Sequence, residues 1–247
     1  MSSITEASVL PAPASRSGAF RALGMIVVAP AETARRLAVE RYWVLALLVA
    51  AVVSFVTTSV NISRVDIATE MRERLAAQDP HATEEDLRTG VEMARGLAKL
   101  GGFMSGAITP VTILVIAGVL LAAHMGAGGT ARFSQALSAT THAWVPQSIK
   151  SILVMSLMLS TKHVKASTAQ TILRSNLGFL AGTGHRTAFT LLSAIDVFDF
   201  WTIGLLAAGF AAASRVSFRR SLLVISGTYA AVVGVRVVLA MTLVHTP

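Results

Sequence analysis

The chain has 247 residues, of which 53% are hydrophobic and only 14% charged, with a mean hydropathy of +0.65, too little charge to cover the surface of a water-soluble domain. It contains no cysteine, which excludes disulfides, thiolate metal sites and cysteine nucleophiles. The formal charge of +8 comes mainly from arginines flanking apolar runs, the distribution lipid headgroups favour; no basic recognition helix or aromatic platform points to nucleic acid.

Residues 1–18 are rich in Ser, Ala and Pro and read as a disordered tail, and residues 19–247 read as one membrane domain. The apolar patch Met25 to Val28 is too short for the core of a signal peptide, so the first long span is expected to serve as the insertion signal. A crossing helix needs about 20 apolar residues. The first such run, residues 43–60, carries no charge and opens on the interfacial pair Tyr42-Trp43.

Residues 61–106 form the one substantial polar element. Val65, Ala68, Met71 and Leu75 recur at helical spacing up to Asp79-Pro80, and Thr83 with Asp86 makes a capping-box signature for a second helix. Leu87, Val91, Ala94 and Ala98 line that helix, and Gly101-Gly102 are expected to end it. The predicted shape is a helical hairpin projecting from the membrane. Its stripes, Met71, Leu75, Leu87 and Val91 among them, either pack on each other or offer a docking surface to a partner.

Four further runs follow. Residues 107–125 are uncharged and end at Gly126 and Gly128-Gly129. Residues 141–160 contain Pro146 and Lys150 and read as a proline-kinked span, with a re-entrant or interfacial segment as alternatives. Residues 188–213 are interrupted by Asp196 and Asp199, and residues 222–244 by Arg236. The predicted fold is therefore all-α, a polytopic bundle of five transmembrane helices. The Lys and Arg on its two sides nearly balance, and the dense N-terminal cluster (Arg16, Arg21, Arg35, Arg36, Arg41) places the N-terminus inside and the C-terminus outside.

Ionisable residues inside spans are costly and mark candidate functional sites. Because successive spans run antiparallel, Lys150, Asp196, Asp199 and Arg236 fall in one layer. Two carboxylates facing two cations form a neutral cluster, so Asp196 or Asp199 is expected within salt-bridge distance of Lys150 or Arg236. The cluster reads as a clamp between helices or as a proton or ion relay. Gly204, Ala208 and Ala212, and Gly227 with Ala231, make small-residue stripes suited to close helix packing, within the chain or in a homo-oligomer.

The histidines are scattered without metalloprotease spacing, residues 102–106 do not match a serine-hydrolase elbow, and Gly126 to Gly129 lack the lysine of a phosphate loop. No cofactor or metal site is expected, and the chain does not read as an enzyme. A small transporter or channel using the charged layer is the rival to an accessory or scaffold protein.

Three segments carry a resemblance. Val28-Ala29-Pro30-Ala31-Glu32-Thr33-Ala34-Arg35-Arg36-Leu37 is similar to the proline-led amphipathic segment of the Yip1 family in its bacterial branch, with Ala34 where an aromatic is common. Ala143-Trp144-Val145-Pro146 resembles the proline of that family's third span. Asp196-Val197-Phe198-Asp199-Phe200-Trp201, followed by Gly209, resembles its aspartate-aromatic opening of the fourth. The resemblance runs from about Phe20 to Leu243 and implies a five-span membrane protein of the bacterial inner membrane. Eukaryotic members are non-enzymatic and linked to small GTPases and vesicle traffic. Some bacterial members are associated with ABC-type exporters and their periplasmic adaptor subunits, which implies such partners here.

Overall fold

The computed structural model describes residues 24–25, 32–33, 43–79, 81–161, 164–169, 171–181 and 185–242. The expected tail and most of the proline-led segment lie outside these residues. Every element described is a helix, and the extended contacts among the described residues are two isolated bridges, Val65 with Val164 and Asn176 with Asp196. Among the described residues, four helices are long and apolar enough to cross a membrane: α1 (Trp43–Arg64), α3 (Glu84–Gly126), α9 (Val197–Ser214) and α10 (Phe218–Thr242). With their apolar surfaces largely outward, this is an integral membrane protein with an all-α, polytopic bundle.

α1 ends at Arg64, where Val164 bridges Val65 and Asp66 caps α2 (Ile67–Gln78) by accepting from the Thr69 backbone N–H at 3.1 Å. α2 runs back along the start of α3. Leu75 lies against Gly90, where an added Cβ would stand 2.5 Å from its Cδ1, and Val91 is buried. The hairpin thus closes on its own apolar stripes. Thr83 and Asp86 form the reciprocal capping box that begins α3.

Gly101-Gly102 do not end that helix. α3 continues for 43 residues, about 64 Å, through both glycines and through Pro110. Each glycine costs the helix only about 1 kcal/mol relative to alanine, which the packing of α1 along α3 can offset. The glycines instead let α1 come close: a Cβ on Gly102 would stand 3.2 Å from Ile62 Cδ1, and one on Gly106 3.3 Å from Phe55 Cβ. The helix turns off at Gly128, whose φ of +85° suits only glycine comfortably, and Gly129 packs under Ser214.

The expected third span is broken rather than kinked. α4 (Phe133–Ala143) starts beside the end of α3, and α5 (Val145–Ser160) follows after a break at Trp144. Pro146 lies in the first turn of α5, where its missing N–H costs nothing. α4 is the packed centre of the bundle, with every residue from Ala136 to Ala143 buried. Together α4 and α5 carry the chain from the end holding Gly126 and Ser214 to the end where Val164 meets Arg64.

The expected fourth span is also divided. α6 (Ala166–Ala169), α7 (Gly178–Ala181) and α8 (Arg186–Ser193) are short, and the chain breaks at residues 194–196 before α9. The predicted small-residue stripes do not make the close contacts. Nothing lies within 4 Å of a Cβ placed on Gly204 or Gly227, and Ala231 is exposed. The close approach is Gly209 on α9, where a Cβ would stand 2.8 Å from Ala139 Cβ of α4. Gly209 lies about 140° around α9 from Gly204, so the face that meets α4 is not the one the Gly204 stripe marks.

Candidate functional site

At the hairpin end, the start of α9 and the start of α5 are laced together by polar groups. Asp196 caps α9, and its Oδ1 accepts the Phe198 backbone N–H at 2.8 Å. Its Oδ2 accepts from Lys150 Nζ at 2.6 Å and from Ser175 Oγ at 2.8 Å. The Asp196 side chain is wholly buried, whereas that of Lys150 is 28% exposed. A buried carboxylate survives only when its lone pairs are occupied, and these three donors do so. Leu177 N donates to Ile195 O and Val197 N to Ser175 O, which fixes the strand-like segment that brings Ser175 to the site.

One turn into α9, Asp199 forms a second rung. Its Oδ1 accepts from Gln147 Nε2 at 2.8 Å, and its Oδ2 from the Tyr229 hydroxyl of α10 at 2.9 Å. Gln147 Nε2 also lies 3.2 Å from Thr202 Oγ1. The Tyr229 oxygen stands 2.9 Å from Ala194 O as well, so one proton serves two acceptors. Gln147 and Lys150 are three apart on α5, as Asp196 and Asp199 are in the opposing segment, and the two pairs meet rung to rung.

Of the four charges expected to share a layer, Lys150 and Asp196 pair, and Asp199 is held by neutral groups. Asp196 is a cap rather than a residue within a helix face. Arg236 makes no ion pair among the described residues and is exposed on α10. It shares a cleft of about 470 Å³ with Asp199, Tyr229, Gln147, Thr202 and Thr228, walled by apolar side chains of α3, α9 and α10. Gln147, Ser175 and Tyr229 were not singled out by the sequence. Gln147 was within reach, since it repeats the three-residue spacing of the aspartates on the helix that carries Lys150.

The opposite end has a different polar contact. His124 is buried, its Nδ1–H donating to Leu120 O at 2.7 Å and its Nε2 accepting from Ser221 Oγ at 2.9 Å. Its ring stacks on Phe210 at 4.6 Å. This joins α3, α9 and α10, and both His124 and Ser221 are wholly buried. No group of three or more potential metal ligands occurs among the described residues.

A family model described as the Yip1 domain matches residues 23–240. The chain belongs to the Yip1 family. Neither a curated protein nor a solved structure matches it significantly. Within this Yip1 domain, the aspartate-aromatic stretch beginning at Asp196 is the cap and first turn of α9, and the Trp144-Val145-Pro146 stretch is the break between α4 and α5.

Proposed function

We propose that this Yip1-family protein is a non-catalytic accessory or scaffold subunit that works by contacts with another membrane protein. The observation that carries this reading is the hairpin of α2 and the start of α3, which is tied to the rest of the chain at its base, by Lys165 on Glu73 and Val164 on Asp66, and keeps an apolar surface outward. Its inward stripes, Met71, Leu75, Leu87 and Val91, are spent on holding the two arms together. The outer side of α3 keeps a second apolar stripe, with Met93 and Leu97 each 64% exposed and Leu100 and Phe103 following at helical spacing. An ABC-type exporter and its periplasmic adaptor are the partners this reading favours, in a bacterial cytoplasmic membrane with the N-terminus inside and the hairpin outside.

The test is a tagged purification of the full chain from native membranes in mild detergent, with quantitative mass spectrometry. Stoichiometric exporter subunits, lost when Met93 and Leu97 are replaced by Ser, support the reading. A lone protein in both preparations sinks it. The second reading, a small transporter, draws on the cleft around Asp199 and Arg236. Asp199→Asn would then abolish flux in proteoliposomes, whereas in a scaffold it lowers only the yield of folded protein.

A further inference from the structure

The cleft between α3, α9 and α10 has a shape and a polarity that select an occupant. On α10 its wall is Ile225, Thr228, Tyr229, Val232 and Arg236, one helical stripe about 16 Å long. Val115 and Val119 of α3 and Leu206 of α9 complete the apolar part. Charge occurs at one end alone, at Asp199 and Arg236. A volume near 470 Å³ falls within the range of about 300–1,000 Å³ usual for small-molecule sites.

The depth of that charged end follows from the hairpin of α9 and α10. α9 has 18 residues and the turn to α10 is short, so both helices climb from the same level. Tyr229 of α10 already reaches Asp199 and Ala194 at the start of α9, and Arg236 lies seven residues, about 10 Å, further along the same helix, so it stands at or beyond the level of Val197. The hydrocarbon core is about 30 Å thick, so Arg236 stands at the headgroup boundary and the apolar stripe descends into the acyl region.

The hydrogen-bonding balance at that end is uneven. Both oxygens of Asp199 are already engaged, by Gln147 and Tyr229. Arg236 is exposed, and its donors meet no acceptor among the described residues. The planar fork of a guanidinium at this depth calls for an anion that offers two acceptor oxygens side by side, which a lipid phosphate supplies.

We propose that the cleft holds one phospholipid of the hairpin-side leaflet, its phosphate on Arg236 and an acyl chain lying along the stripe from Val232 to Ile225. Binding needs both parts, because the stripe supplies the affinity of apolar burial and Arg236 supplies the selection for phosphate. The site is separate from the outer stripe of the hairpin and does not depend on the accessory role.

The experiment is native mass spectrometry of the full chain, stripped of lipid by a detergent wash and then offered dioleoylphosphatidylglycerol, dioleoylglycerol or inorganic phosphate. The expected result is one phosphatidylglycerol retained per chain, with the phosphate-free glyceride and the free phosphate each weaker by at least about tenfold. Arg236→Gln should lower phosphatidylglycerol retention by a similar factor, and Val232→Trp, which fills the stripe, should do the same. Arg219→Gln, at the far end of α10, should leave it unchanged. Equal retention of the two lipids, or no effect of Arg236→Gln, would mean ordinary annular lipid and overturn the proposal. Free phosphate binding as tightly as the lipid, or an unaltered Val232→Trp, would overturn it too, since no acyl chain would then occupy the stripe. Both variants change exposed side chains, and an unchanged thermal transition separates loss of the site from loss of the fold.

Discussion

α9 and α10 are neighbours of similarly apolar composition, yet they live in different surroundings. In the most apolar window of α9, 39% of residues are buried, against 6% in α10. α9 packs through Leu205, Ala207, Phe210 and Ala213 against α4 and α10, while Val235, Val238 and Leu239 of α10 face outward. In water such outward residues would signal a misfolded helix. In lipid the hydrocarbon is as apolar as a leucine core, so apolarity reports the solvent and small residues report the packing. α4 shows the same from the other side: Ser138, Thr140, Thr141 and His142 are polar yet buried.

Breaking the ion pair between α5 and α9 has the largest expected effect. Lys150→Met leaves Asp196 wholly buried beside an apolar side chain and should cost about 3–5 kcal/mol, read from thermal unfolding in detergent. Asp196→Asn should cost less, because Lys150 is partly exposed and can turn to the interface. Equal losses would show that Lys150 is as desolvated as its partner.

Next comes the packing contrast itself. Gly209→Val puts a side chain into Ala139 and should cost about 1–3 kcal/mol or more, whereas Gly227→Ala on the open side of α10 should be neutral or stabilise by up to about 1 kcal/mol. A large loss from Gly227→Ala would mean that a second copy of the chain covers that face. Thr83→Ala removes the cap of α3 and should cost about 1 kcal/mol, seen as faster amide exchange at the hairpin tip alone.

The smallest effects are titrations of the hairpin. Thr83 bonds hold the Asp86 carboxyl below the usual range, so its contribution is complete above the unfolded-chain pKa and is lost as pH falls through the lowered one. Lys165 is raised by its hydrogen bond to Glu73 and by the charge of that carboxylate. Its contribution is complete below the unfolded lysine value and is lost as pH rises through the raised one. Both groups are exposed, so tip exchange should quicken modestly at the acid extreme, and contact between α2 and the segment at Lys165 should loosen at the alkaline one.

The helices that cross were legible because a long apolar run has one reading in lipid. The capping box was legible because Thr83 and Asp86 need nothing beyond their own turn. The breaks were not. Pro146 suits the first turn of α5 and Asp196 the cap of α9, but neither says that the helix before it stops; the burial of α4 and the bond from Val197 N to Ser175 O fix the breaks. Depth alone offered Asp196 or Asp199 against Lys150 or Arg236 without choosing among them; Lys150 and Asp196 are the pair that meets, and Arg236 stays out of it. Gln147, Ser175 and Tyr229 were hidden because neutral polar residues are common in membrane helices and carry no warning of their own.

α3 is a single rod from the hairpin tip to Gly126, and α1 touches it closely at Gly102 and Gly106. Such a rod is a lever with its fulcrum at the membrane surface. A sideways load on the tip is therefore carried along one helix past those contacts toward the opposite end, where Arg220 donates to Ala127 O and Gly129 packs under Ser214. Pro110, which removes one rung of the backbone ladder below the fulcrum, is where that lever bends first.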